Sequence, residues 1–135
     1  MSVSNLLVQI CKVRRNKSNE LLSAAGIHSG QDILLYYLSL EDGQTVSALV
    51  EKMCIQYATI SNMTDRMDAA GMIRKEKDEK DRRTSRIYMT EKGAEAYNKV
   101  ASIWRTMEST ATEGLTHEQQ SSLRELLKHI LNNLV

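Results

Sequence analysis

At 135 residues, 41% of them hydrophobic, the chain is long enough for one domain with its own core. Eighteen Lys and Arg against seventeen Asp and Glu leave a net charge of +1. That excludes a global polycation, so any nucleic-acid surface has to be made by local clustering. No apolar run approaches the roughly 20 residues of a membrane span. The first residues lack a signal-peptide pattern, because Leu6 to Ile10 is interrupted by Gln9 and followed by Lys12, Arg14 and Arg15. Two cysteines without metal-ligand spacing fit a reducing compartment, and the expected location is the cytoplasm.

The sequence predicts a first helix from about Asn5 to Ala25, with Leu6, Leu7, Ile10, Val13, Leu21 and Leu22 apolar and Gly26 as its stop. Ser29 to Asp32 opens a second helix whose run from Ile33 to Leu38 is apolar nearly all round, the pattern of a helix buried between layers. Glu41 to Gln44 is a turn by composition. Thr45 then caps a short third helix with Val46, Leu49, Val50 and Met53 facing inward. A tight connection, Cys54 to Tyr57, leads into a fourth.

That fourth helix and the hairpin after it carry the functional signal. Ile60, Met63, Met67 and Ala70 recur at three- and four-residue steps and mark a buried face. Ala58, Ser61, Asn62 and Asp65 point the other way, a small polar face suited to lie against a flat, hydrated, anionic surface. Gly71 stands where a left-handed residue ends the helix. Met72 to Lys77 and Ser85 to Met89 pair as strands around the charged turn Asp78 to Thr84. Arg74, Lys75, Lys77, Lys80, Arg82, Arg83 and Arg86 are the cations of this hairpin, against Glu76, Asp78, Glu79 and Asp81. Two short helices joined by a tight turn, the second followed by a cationic hairpin, form a winged helix-turn-helix, and its second helix is the reader.

Thr90 caps a long amphipathic helix running to about Ala111 through Ala94, Tyr97, Val100, Ala101, Trp104 and Met107. Thr116 to Gln119 is a capping box. Leu123, Leu126, Leu127, Ile130, Leu131 and Leu134 line the last helix. That stripe is too apolar for a lone surface helix and calls for a cover, from the first helix or from another subunit. The fold class is mainly α, or α+β counting the wing hairpin, with a winged helix-turn-helix lobe between N- and C-terminal helices.

The groove-facing candidates are Ala58, Thr59, Ser61 and Asn62, small enough to let the backbone approach, with Asn62 able to pair with an adenine edge. Arg66 is placed for phosphate or for Asp65. Arg82 and Arg83 at the wing tip enter a minor groove or clamp phosphates, one of them alternatively serving as a structural brace. Lys80 and Arg86 are weaker phosphate candidates. Thr45 and Ser47 lie at a helix start whose amides suit phosphate. Cys11 is either a thiol activated by Lys12, Arg14 and Arg15 or a small buried hydrophobe. Tyr36, Tyr37 and Trp104 are plain core or, under the family resemblance set out next, line an effector cleft. His28, His117 and His129 are scattered without ligand spacing, so no metal and no cofactor is expected. No Ser-His-Asp, Cys-His or paired-carboxylate arrangement and no glycine-rich phosphate loop stands out, so no catalytic residue is assigned and the chain is not expected to be an enzyme.

Three stretches in order, Asp65-Arg66-Met67 leading to Gly71-Met72-Ile73-Arg74, Asp78 to Arg83, and Met89-Thr90-Glu91-Lys92-Gly93, resemble the MarR family of winged helix-turn-helix regulators. The resemblance covers nearly the whole chain. It implies one domain, 1–135, with residues 1–28 and 95–135 as dimerisation helices and 29–93 as the DNA-binding lobe. It also implies a homodimer on a pseudo-palindromic operator in double-stranded DNA, repression of adjacent genes, and release by a small-molecule effector or an oxidant. The alternative from the residues is a winged-helix scaffold for protein interaction, whose mark would be an apolar reading face and a neutral wing. Two departures bear on the geometry. Gln56 stands where many relatives place an acid that holds a wing arginine, so wing orientation here rests on Asp65 or another carboxylate. Cys54 stands where the turn usually has Gly.

Overall fold

The structure, a computed structural model, describes every residue from Met1 to Val135. In chain order it contains α1 (Val3–Ala24), α2 (Gln31–Leu40), β1 (Gln44–Thr45), α3 (Val46–Met53), α4 (Tyr57–Ala69), β2 (Ile73–Lys77), β3 (Ser85–Met89), α5 (Glu91–Ala111) and α6 (His117–Leu134). The fold is mainly helical with a small antiparallel sheet in the order β1-β3-β2. The two-residue strand β1 falls where composition predicts only a turn and a cap. The chain divides into two compact units, Met1–Trp104 and Arg105–Val135.

Hydroxyl caps start four of the helices, α5 among them, where Thr90 Oγ1 accepts from the Gly93 amide (3.1 Å). Ser2 Oγ accepts from the Asn5 amide (3.0 Å), which starts α1 two residues earlier than periodicity suggests. Thr45 Oγ1 accepts from the Ala48 amide (3.1 Å) and opens α3. The capping box of α6 forms in both directions between Thr116 and Gln119. Each such cap is worth about 0.5–2 kcal/mol.

The core of the first unit gathers Leu22, Ile27, Leu34, Leu35, Leu38, Leu49, Ile60, Met67, Ile73, Ile87 and Val100, all essentially out of water. Each buried side chain of this kind contributes about 1.5–3 kcal/mol over its exposed state. Helix α2 is not buried all round. Leu34, Leu35 and Leu38 face the core, while Ile33 and Leu40 stay exposed. On α5 the inward positions are Gly93, Ala96 and Val100, with Tyr97 and Trp104 packed partly against the core, and Ala94 is exposed.

A buried amide joins α2 to the sheet. Gln44, 5% exposed, donates from Nε2 to the carbonyls of Tyr37 (2.7 Å) and Glu41 (2.8 Å), satisfying the open C-terminus of α2. Its Oε1 accepts from Lys52 Nζ of α3 (2.6 Å). One side chain thereby ties α2, β1 and α3 together.

The corner after α4 is equally specific. Gly71 adopts φ +77°, and the Met72 amide donates back to the Met67 carbonyl (2.9 Å), a Schellman closure. The Thr90 amide donates to the Met72 carbonyl (3.1 Å), Thr90 Oγ1 donates to the Gly71 carbonyl and Lys92 Nζ to that of Ala70 (2.6 Å). Gly93 lies flat on this backbone, and a Cβ there would overlap the Met72 carbonyl oxygen. In the second unit α6 has no buried residue; Leu126, Leu131 and Leu134 are 63%, 59% and 79% exposed.

Gly93→Ala is expected to lower unfolding stability by about 2 kcal/mol or more, the upper range for overpacking, because the obstacle is backbone. Urea unfolding of the two proteins measures it. A loss within a few tenths of a kcal/mol would show that α5 slides freely over the Met72 corner.

Candidate nucleic-acid interface

Helix α4 is set by a stripe of Ile60, Thr64 and Met67, each 0% exposed, with Met63 and Ala70 half-buried beside it. Thr64 is a buried position that an apolar pattern does not reveal. It is tolerated because its hydroxyl donates to the Ser61 carbonyl (2.9 Å), leaving no unpaired polar group inside. Cys54 ends α3 with φ 53°, the only non-glycine residue in the left-handed region. The turn thus keeps the conformation glycine favours, at a cost of roughly 1–2 kcal/mol for a residue with a Cβ.

Ala58, Thr59, Asn62 and Arg66 are exposed on α4, and Ser61 is half-buried on the flank. Tyr57, 58% exposed at the first turn, adds a large side chain that the small-residue pattern does not suggest. Asp65 is exposed on the same face and pairs with Lys75 of β2. At the start of α3 Ser47 is exposed, while Thr45 is half-buried and occupied as the cap.

The wing is built by its carboxylates. Lys77 pairs with Ser85 at the end of the ladder, and the Asp78 amide donates to the Thr84 carbonyl (2.8 Å) to close the loop. Asp78 Oδ2 accepts from the amides of Lys80 (3.2 Å) and Asp81 (2.9 Å). Asp81 accepts from the Arg83 amide (3.1 Å), Arg83 Nε (3.3 Å) and Thr84 Oγ1 (3.3 Å). These bonds leave Arg82 and Lys80 exposed with no protein partner, and orient Arg83 while its side chain stays 93% exposed.

Arg86, a weaker phosphate candidate from the sequence, is engaged within the chain. Its Nε donates to Asp78 Oδ1 (2.6 Å) and its Nη1 to the Gly43 carbonyl (2.8 Å), beside the β1–β3 pair Thr45–Arg86. The Arg86 hydrogen bond, followed by the Asp81 amide, holds the Asp78 carboxyl below its ordinary 3.8, and Asp78 in turn raises Arg86 above its usual value. The carboxylate that orients the wing arginine is therefore Asp78; Asp65 serves Lys75 instead. Hairpin register carried this signal, since a ladder that opposes Glu76 to Arg86 and closes at Lys77–Ser85 leaves position 78 diagonal to 86 on the same face. The other side of the brace, the Gly43 carbonyl, is 43 residues away and left no mark in the sequence.

Two hollows are present. An open pocket of about 230 Å³ is lined by His28, Ser29, Gln31, Thr59, Asn62, Met63 and Arg66. A shallower groove of about 560 Å³ on α1 holds Cys11 among Leu7, Val8, Lys12, Arg15 and Asn16. Cys11 is exposed in the single chain. Tyr36 packs on Tyr37 (5.3 Å between centroids) and on Trp104 (5.6 Å), but these aromatics line neither hollow. No three His, Cys, Asp or Glu side chains are grouped to hold a metal ion, and no helix is long and apolar enough to cross a membrane.

The sequence pattern of the MarR family matches residues 31–85, the span from α2 to the start of β3. The chain is 30% identical over 95 residues to the HTH-type transcriptional regulator PapX of Escherichia coli, covering 66% of this chain and 58% of PapX. It is 31% identical over 91 residues to the HTH-type transcriptional regulator PecS of Dickeya dadantii, covering 64% of this chain and 55% of PecS. The matched stretch thus spans little more than half of either relative. In fold it is similar to a mutant MarR from Escherichia coli complexed with operator DNA, with a TM-score of 0.84, 21% identity and coverage of 96% and 93% of the two chains.

The Asp78–Arg86 brace has a pH signature. A carboxyl whose value is lowered on folding stabilises the wing at any pH above 3.8 and loses that contribution as pH falls through its lowered value. The Asp78 carboxyl carbon, followed by NMR, is expected to titrate below 3.8 in the native chain and to move back up toward it in Arg86→Ala. A midpoint that Arg86→Ala leaves in place would mean that Arg86 does not hold Asp78.

Proposed function

The chain belongs to the MarR family, and from that premise we propose that it is a sequence-specific DNA-binding transcriptional regulator acting as a cytoplasmic homodimer. The observation that carries this reading is the pairing of a small, exposed, polar α4 face with a wing whose tip cations are free while its base is locked. Asn62, Thr59 and Ala58 let the helix approach a groove floor. Arg82 and Lys80 are unpaired, and Arg83 is aimed outward by Asp81, so each meets phosphate or a minor groove without first breaking a strong internal ion pair. Arg86 contributes by holding the wing. The Asp65–Lys75 pair mutes the one acid on the α4 face nearest the groove. A protein-interaction scaffold would present an apolar face and a neutral wing in these places.

Dimerisation is supported by apolar surface that the single chain leaves in water. On α1, Leu6, Val8, Ile10 and Val13 are 45–67% exposed, and α6 carries its leucine stripe uncovered. Surface of this extent marks an interaction site. Residues 1–28 and 95–135 are the dimerisation segments of this reading, and 29–93 the DNA-binding lobe. A two-fold pair of α4 helices requires a pseudo-palindromic operator, and the regulator represses genes adjacent to its own. Release by a small molecule is supported by the pocket beside α4, because Thr59, Asn62 and Arg66 line it and also lie on the DNA face. Release by an oxidant would act through Cys11, a free thiol within the α1 dimerisation segment.

The test is a mobility-shift titration against the DNA upstream of the protein's own gene, with unrelated duplex as competitor and at several salt concentrations. Arg82→Ala should weaken binding to all sequences and flatten the log-log salt dependence by about 1 per lost phosphate contact, so about 2 per dimer. Asn62→Ala should instead reduce preference at one base pair per half-site, by roughly 5- to 150-fold. If both changes weakened every sequence alike, the groove assignment of α4 would be wrong.

A further inference from the structure

Of the four helices that build the first unit up to the wing, α1 and α3 start with a hydroxyl that caps them, and α2 starts at Gly30 with Gln31 and Asp32 holding the preceding amides. Helix α4 starts at Gln56, a residue outside the good N-caps, and its side chain makes no cap hydrogen bond. The Gln56 backbone is fixed all the same, with φ −61° and ψ 146° and its carbonyl accepting from the amides of Thr59 (3.1 Å) and Ile60 (3.2 Å). Its carboxamide is therefore an exposed donor-acceptor pair on a rigid stalk with no partner in the chain. It does not brace the wing either, since Arg86 is held by Asp78 and Gly43 and Arg83 by Asp81.

We propose that Gln56 is a specificity-determining residue that reads an A·T pair in the major groove, an inference that rests on the DNA-binding reading above. Charge on α4 sets the direction of approach. Asp68 is exposed in its last turn, whereas the first turn carries no acid and its amides are the positive end of the helix, so phosphates favour entry by the N-terminal end. Helix-turn-helix readers contact base edges with the N-terminal residues of the second helix. Ala58 and Thr59 leave that end slim enough to reach the groove floor. A carboxamide offers one donor and one acceptor, which matches the N6 and N7 edge of adenine. Gln56 lies six residues before Asn62, roughly 9 Å along the helix axis.

The experiment is selection of bound sequences from a randomised duplex pool by the full-length protein, Gln56→Ala and Gln56→Glu, followed by titration of each on the selected site and on unrelated duplex. The expected result is a half-site in the native selection with an A·T pair that Gln56→Ala no longer prefers. Binding to the native site falls roughly 5- to 150-fold per half-site while binding to unrelated duplex is unchanged. Gln56→Glu should turn the same position toward C·G, because a carboxylate only accepts and cytosine N4 donates. A structural role cannot move a base preference in this way. If Gln56→Ala selects the native half-site with equal strength at every position, or loses affinity for all duplexes alike, the inference fails while the regulator reading stands. If the native protein selects no sequence, both fall together.

Discussion

One guanidinium organises the reading surface. Arg86 sits in β3, and from there it reaches the wing loop through Asp78 and the β1 turn through the Gly43 carbonyl. Opposite it in the ladder is Thr45, the residue that caps α3. The wing, the sheet edge and the first helix of the helix-turn-helix therefore share a single fixed point. An exposed ion pair adds little to global stability. Its value here is geometric, because a hairpin that swung freely would present its tip cations at no defined distance from α4.

Around that point the packing is conventional and the polar connections are not. Leu34, Leu35, Leu38, Leu49, Ile60, Met67, Ile73, Ile87 and Val100 supply the burial that keeps the lobe folded. Orientation comes from a few directed bonds. Gln44 closes the end of α2 and receives Lys52 from α3, and Thr90 with Lys92 clamps the end of α4 against the start of α5. Hydrophobic contact is indifferent to small rotations, whereas a buried amide or a backbone carbonyl is not. The angle at which α4 meets its target is set by these bonds.

The charge arrangement suits a discriminating binder more than a merely adhesive one. With a net charge of +1 there is little long-range attraction to any polyanion. On the wing tip Lys80 and Arg82 have no ion-pair partner and Arg83 points outward while held by Asp81, whereas Asp65 and Asp78 engage Lys75 and Arg86. Under the homodimer proposed above, affinity comes from a few placed contacts present in two copies, and the uncovered apolar surfaces of α1 and α6 fit that proposal.

Much of this was legible in the chain itself, because helix periodicity, caps and turn residues are local. The stripe Ile60–Met67, the cap Thr45, the capping box Thr116–Gln119, the left-handed Gly71 and the charged turn Asp78–Thr84 all come from spacings of a few residues. The sequence by itself determined the order of elements, the location of the wing and which face of α4 is polar. The features it left open depend on partners distant in sequence. Arg86 looked like a free cation until Gly43 and Asp78 were brought to it. Helix α2 looked buried on every side until the fold left Ile33 and Leu40 outside. Only the tertiary structure decided which charges are bound and which are free, since a side chain's freedom depends on the groups within about 3 Å of it in space.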